Sequence, residues 1–161
     1  MSGILGERGI GQRSGIVGSA AGSMPAFLAM GDDGTEQDLT TSYATQTVLS
    51  TVFDQGSNLN AGTDTFTAPI TGKYAFQIMC YLSLLDVSDD VAIKFVTSNR
   101  FFVHNLCAGF WNTDRMMDGM SVVTDMDKND TAYIQVVNST DADGIWWAGT
   151  EYTWWSGYLV A

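Results

Sequence analysis

Apolar and polar residues alternate with a period of two in many short runs of the chain. From residue 24 onward these runs recur at intervals of roughly ten residues, with Gly, Asp and Asn between them, which is typical of a β-sandwich or barrel. Side chains of a strand point alternately to opposite faces, so each run predicts one strand. The predicted strands cover residues 26–30, 47–53, 65–68, 73–85, 91–97, 100–105, 121–124, 132–137 and 152–160.

Two of these runs indicate which faces enter a core. One apolar face comprises Tyr74, Phe76, Ile78, Cys80 and Leu82, and a second comprises Ala132, Ile134 and Val136. The composition agrees with an all-β domain, because 45% of the residues are apolar and only 16% are charged. A length of 161 residues fits one such domain with an appendage.

Residues 1–22 have a different character. They are rich in glycine and contain no aromatic residue, so they cannot form a core of their own. Ser-Gly-Ile-Leu-Gly at residues 2–6 recurs as Ser-Gly-Ile-Val-Gly at residues 14–18. Exposed apolar groups are a liability unless a partner receives them. The repeat therefore predicts an extended arm that docks through its apolar side chains, which are Ile4, Leu5, Ile10, Ile16 and Val17.

Charge divides the chain in the same place. Arg8 and Arg13 outweigh the single Glu7, so the arm carries +1 and the rest of the chain −12, which together give the net charge of −11. We expect Arg8 and Arg13 to help the arm lie along a partner's surface or sheet edge. The predicted organisation is a docking arm over residues 1–22 and a β-sandwich over residues 23–161.

The acidic balance also excludes partners. The seven Lys and Arg residues are scattered, whereas nucleic acid binding needs clustered cations to neutralise phosphates. No stretch has the roughly 18 apolar residues that cross a bilayer, and the N-terminus has no uninterrupted apolar signal region. We expect synthesis in a cytoplasm and no insertion into a membrane. Cys80 and Cys107 are not spaced as a disulfide framework or a metal site, and a buried free thiol is favoured at Cys80.

Several motifs resemble the C1q/TNF-like globular domain. Residues 58–76 contain an Asn-rich turn, a Phe-Thr-Ala-Pro strand, a Gly turn and a Tyr-x-Phe strand, in the order found in that family. Residues 127–134 resemble its Gly-Asp-x-Val hairpin, residues 155–160 its closing strand, and residues 25–27 its opening strand. Asn129 stands where the family has Gly, but Asn also tolerates a left-handed turn. The arm lacks the strict Gly-x-y period of a collagen stem.

The resemblance implies an antiparallel jelly-roll sandwich that associates as a homotrimer with aromatic residues along its axis. Bacteriophage and marine viral proteins that resemble this chain join such a module to a short Ser-Gly-Ile-x-Gly arm. This implies a virion protein without enzymatic activity, made in the host cytoplasm and bound to a capsid protein as decoration or cement. The alternative is a tail-fibre or receptor-binding tip, joined to a tail protein, that contacts host surface glycan.

Adjacent tryptophans are the candidates for a second apolar surface. In a strand, one Trp of each pair can enter the core while the other needs a different partner. An ordinary core with one exposed ring, a trimer interface and a carbohydrate-stacking platform all remain open. The candidates are Trp111, Trp146, Trp147, Trp154 and Trp155.

Catalytic and metal sites receive little support. His104 is the single histidine. A Ser-His-Asp system would have no second histidine to draw on, and a metal site with several histidines cannot form. Asp125, Asp127 and Asp130 are spaced like the start of a calcium loop, but the closing Glu position is Val136. An acidic hairpin is favoured, with calcium as a weak alternative and no other cofactor expected.

Overall fold

The computed structural model describes residues 24–32, 34–47, 49–86, 88–107, 115–140, 142–147, 149 and 151–160. This part of the chain is built from antiparallel strands, and none of its residues lies in a helix that could cross a membrane. The strands are β1 (Ala26–Gly31), β2 (Glu36–Asp38), β3 (Ala44–Thr45), β4 (Leu49–Gln55), β5 (Leu59–Asn60), β6 (Thr65–Thr67), β7 (Gly72–Ser83), β8 (Asp90–Thr97), β9 (Phe101–Cys107), β10 (Arg115–Met126), β11 (Thr131–Asn138), β12 (Ile145–Trp147) and β13 (Trp154–Leu159).

The strands form two sheets, which we call the front sheet and the back sheet. In the front sheet β7 pairs with β10 on one edge and with β13 and β12 on the other. The sheet continues from β13 through β1 to β4, and β2 extends it beyond β12. The back sheet has the order β5-β6-β11-β8-β9, with β3 also paired to β11. This is an all-β jelly-roll sandwich, as the sequence predicts.

Aromatic side chains fill the space between the sheets. The ring of Phe76 lies 4.9 Å from that of Phe95, 5.7 Å from that of Phe66 and 6.2 Å from that of Trp155, measured between centroids. The predicted inward face of β7 is confirmed, because Tyr74, Phe76, Ile78, Cys80 and Leu82 are all buried. Outward residues of the same strand therefore form part of the opposite surface.

Every predicted strand corresponds to an observed one, but several bounds differ. Strand β10 runs from Arg115 to Met126, whereas the prediction covered only residues 121–124. Its full length is held by continuous pairing with β7. The two- and three-residue strands β2, β3, β5 and β12 were not predicted, because so short a run carries no periodicity.

The acidic turn before β11 is not a hairpin, which corrects the prediction. Its flanking strands β10 and β11 belong to different sheets, so the turn carries the chain from the front sheet to the back sheet. Asn129 has a φ of 75°, which confirms the predicted left-handed conformation. The Asp127 N–H donates to the Asp130 carboxylate at 2.8 Å and closes the turn.

Candidate functional site

The centre of the outer face of the front sheet carries no charged side chain. Because Tyr74 and Phe76 point inward, Ala75, Gln77 and Met79 point outward, and strand register aligns them with residues of β1, β10 and β13. None of the aligned residues is charged. The rows are Met30-Trp154-Met79-Gly119, Leu28-Ser156-Gln77-Ser121 and Ala26-Tyr158-Ala75-Val123.

Gly119 shapes the middle of this face. A side chain here would overlap the carbonyl oxygen of Ile78 on β7. Strands β7 and β10 can therefore lie this close together only because residue 119 is glycine. The space left beside it is part of a groove of about 480 Å³ that Met79, Met117 and Trp154 help to line. Gln77, Asp118 and Ser121 line the same groove, so it offers a partner both apolar and polar contacts.

The tryptophan pairs divide between the core and this face. Trp146 and Trp155 are fully buried at 0% exposure. Their inclusion among the candidates for an outer surface was therefore wrong, because pairing with the inward residues Leu82 and Ile78 of β7 turns them toward the core. Trp147 and Trp154 are half-buried and point outward. Trp111 and the seven candidate arm residues, Ile4, Leu5, Arg8, Ile10, Arg13, Ile16 and Val17, lie outside the described residues.

A second aromatic cluster lies near one end of the outer face. The ring of Trp147 is 5.0 Å from that of Tyr81 and 5.6 Å from that of Tyr152. Tyr81 and Tyr152 are themselves 5.5 Å apart. A groove of about 530 Å³ beside the cluster is lined by Glu36, Tyr81, Ser83, Leu84, Arg115, Ile145 and Trp147.

Sequence reasoning missed Tyr81 and Tyr152 as members of this cluster. The outward position of Tyr81 follows from the alternation of β7, which was the available signal. Tyr152 was predicted to begin the last strand but lies in a turn before it. Its proximity to Tyr81 arises only from the pairing of β7 with β13.

Polar side chains connect the free edges of the two sheets. His104 on β9 lies 3.1 Å from the carboxylate of Asp118 on β10, measured from Nε2 to Oδ2. Arg100 lies 2.6 Å from Asp125 at the other end of the same pair of strands. His104 thus bridges the sheets, with no Ser-His-Asp arrangement in the described part of the chain.

The three candidate calcium ligands face different partners. Asp125 pairs with Arg100, while Asp127 accepts a long 3.4 Å hydrogen bond from Thr71. Asp130 accepts a hydrogen bond from the Asn99 side-chain amide at 2.8 Å. Among the residues that the structure describes, no group of three or more His, Cys, Asp or Glu side chains is placed to hold a metal ion.

The thiol of Cys80 is inaccessible and held neutral. Burial raises the pKa of Cys80 well above its ordinary value, and the nearby Asp118 charge raises it further. Since the thiolate is the reactive form, we expect native protein at pH 8 to leave Cys80 unlabelled by iodoacetamide. Peptide mapping by mass spectrometry should find Cys80 labelled only after unfolding in urea. Labelling of the folded protein at the rate of the unfolded chain would contradict this.

The two antiparallel sheets, with an uncharged centre on the outer face of the front sheet, define a jelly-roll sandwich domain. The model of the C1q domain family matches residues 27–160. The chain belongs to this family, which confirms the resemblance drawn from the sequence motifs. No curated protein sequence matches the chain.

Solved structures share the fold at low sequence identity. The globular domain of zebrafish complement 1qA is 14% identical, with a TM-score of 0.62 over 85% of this chain and 98% of that one. Eiger TNF from S. frugiperda is 11% identical, with a TM-score of 0.63 over 86% and 94% of the two chains. Murine APRIL is 9% identical, with a TM-score of 0.60 over 86% and 100%. These likenesses concern the fold alone.

Proposed function

We propose that this protein is a homotrimeric, non-enzymatic structural protein of a bacteriophage particle, bound to the capsid by its N-terminal arm as decoration or cement. The uncharged central rows on the outer face of the front sheet support the trimer. The solvent-facing side of an antiparallel sheet is commonly polar, yet here it presents Met30, Met79 and Trp154 in one row. Such a face favours burial against copies of the same chain.

Net charge strengthens this interpretation. The chain carries −11, but the central rows of the outer face contain no acidic residue. Interface centres are depleted of charged residues, because each buried charge loses its hydration. A C1q domain that associates as a trimer would bury this face and leave the acidic remainder in water.

The position of the arm supports docking at one end of the trimer. Residue 24 precedes β1, whose first residue Ala26 pairs with Tyr158, and Tyr158 pairs with Ala75. In a three-fold trimer the three arms would leave from the same end. Three weak contacts made together give much higher avidity than one. The repeated Ser-Gly-Ile segments of residues 2–6 and 14–18 would supply these contacts.

Deletion of residues 2–18 is expected to leave a folded trimer that no longer binds particles, because the apolar docking groups are removed. Native mass spectrometry measures the trimer, and co-sedimentation with particles that lack the protein measures binding. A second variant keeps the arm length and replaces Ile4, Leu5, Ile16 and Val17 by serine, so that only the apolar groups are lost. Both variants should lose binding, and particle binding retained by the deletion variant would overturn the docking role.

A tail-fibre or receptor-binding tip is the second candidate. It is favoured by the cluster of Tyr81, Trp147 and Tyr152, which lies toward the opposite end of β7 from the start of β1. Tyr81 is six residues beyond Ala75, a distance of about 20 Å along a strand. Electron microscopy of particles carrying a labelled copy distinguishes a head location from a tail location.

A further inference from the structure

We infer that the groove beside Trp147, Tyr81 and Tyr152 binds a neutral saccharide through stacking on the aromatic rings. The inference rests on the proposed function only in one respect, which is that the end of the sandwich with this groove faces away from the particle. Saccharide binding itself requires neither the arm nor a particular place in the virion. The three rings, held within 5.6 Å of one another, form one partly exposed apolar surface.

Buried hydrogen bonds fix the backbone beneath this surface. The hydroxyl of Thr153, which is fully buried, donates to the carbonyl of Trp147 at 2.6 Å. The hydroxyl oxygen of Thr153 also accepts a hydrogen bond from the Tyr81 N–H at 3.1 Å. Two of the three aromatic residues are thus joined through one buried side chain. A surface ordered before binding loses little conformational entropy when a ligand arrives.

Gly149 completes the support of the Trp147 ring. A Cβ atom at this position would lie 2.6 Å from Cζ3 of the indole, so the backbone of Gly149 packs directly on the ring. Tyr152 then returns beside Trp147, and its N–H donates to the Gly149 carbonyl at 3.0 Å. The turn therefore holds the indole against the neighbouring tyrosine.

Polar side chains border the aromatic surface. Glu36 on β2 pairs in register with Trp147 on β12. Ser83 pairs with Arg115 across β7 and β10, and all three polar residues line the groove. They place a carboxylate, a hydroxyl and a guanidinium around the rings. This arrangement offers hydrogen-bond acceptors and donors at the rim of an apolar surface.

These features match the chemistry of a pyranose sugar. The C–H groups on one face of the ring carry partial positive charge and pack on the negative face of an aromatic ring. The hydroxyl groups at its edge donate to carboxylates and accept from guanidinium or hydroxyl groups. The groove of about 530 Å³ is within the range of small-molecule sites. Glu36 and Arg115 give the groove no net formal charge, and the chain's net charge of −11 disfavours an anionic sugar.

The experiment titrates the full-chain protein with cellotetraose, lactotetraose and tri-N-acetylchitotriose, which are neutral, and with sialyllactose as the charged probe. Calorimetry or tryptophan fluorescence should detect binding of at least one neutral probe and weaker or no binding of sialyllactose. Trp147→Ala and Tyr152→Ala should each lower that affinity about tenfold or more, since each removes a stacking ring. Tyr152→Ala changes only a turn and remains informative where Trp147→Ala fails to fold.

Tyr43→Ala is the matched control, because Tyr43 is as exposed as Tyr152, at 39%, but lies over the ammonium of Lys94 on the back sheet. It should leave saccharide affinity unchanged. The inference is overturned if no neutral probe binds, if a folded Trp147→Ala or Tyr152→Ala variant keeps its affinity, or if sialyllactose is preferred. Loss of the trimer in Tyr152→Ala would also overturn it, by assigning the cluster to the subunit interface. Particle co-sedimentation is measured separately, so failure of the arm to dock is distinguishable from failure to bind sugar.

Discussion

Replacing Met79 by glutamate is expected to convert the proposed trimer into a folded monomer. Met79 lies between Trp154 and Gly119 in the central row of the outer face. In the trimer a carboxylate at this position would be buried without a cation, which costs several kcal/mol per ion in proteins. Three-fold symmetry repeats the cost in each subunit, whereas the isolated subunit keeps the carboxylate in water. Native mass spectrometry and light scattering give the molecular mass.

Val103→Glu is the control for this substitution. Val103 is 44% exposed on β9 of the back sheet, so the same carboxylate is introduced on the other side of the sandwich. It should leave the trimer intact. Circular dichroism should show strand structure in both variants. A Met79→Glu protein that remains trimeric would remove the outer face of the front sheet from the interface.

Phe76→Ala is expected to lower the free energy of unfolding by about 3–5 kcal/mol, the range for removal of a buried phenylalanine. The ring of Phe76 has less than 2% exposure and lies among those of Phe27, Phe66, Phe95 and Trp155. These rings come from both sheets and cannot all collapse into the space left behind. Urea unfolding at a fixed protomer concentration measures the effect, because dissociation makes the midpoint depend on concentration.

Phe101→Ala is the matched comparison, since Phe101 is 62% exposed. Its contact with the outside of the back sheet includes the ammonium of Lys94, 4.7 Å from the ring centroid. An exposed contact of this kind contributes about 0.5–1 kcal/mol, so the loss should not exceed about 1 kcal/mol. Equal losses in the two variants would show that Phe76 does not hold the sheets together.

The sequence indicated the fold more fully than it indicated the site. Motifs around Phe66, Tyr74 and Phe76 resembled a C1q domain, and the family model confirms this over residues 27–160. Alternation in β7 also assigned the inward face correctly. Both signals are local, because a strand's two faces follow from a period of two within a few residues. Four short strands were missed, since runs of two or three residues carry no periodicity.

Local patterns determined that one tryptophan of each adjacent pair would face away from the core. Only the tertiary structure decided which one, because β12 and β13 take their orientation from pairing with β7. It also brought Tyr81, Trp147 and Tyr152 together and assembled the uncharged central rows of the outer face from four strands. The alternation along one strand shows which of its residues share a face. Where both faces carry large apolar residues, as in the tryptophan pairs, the choice of the inward face depends on pairing with distant segments, which no single segment encodes.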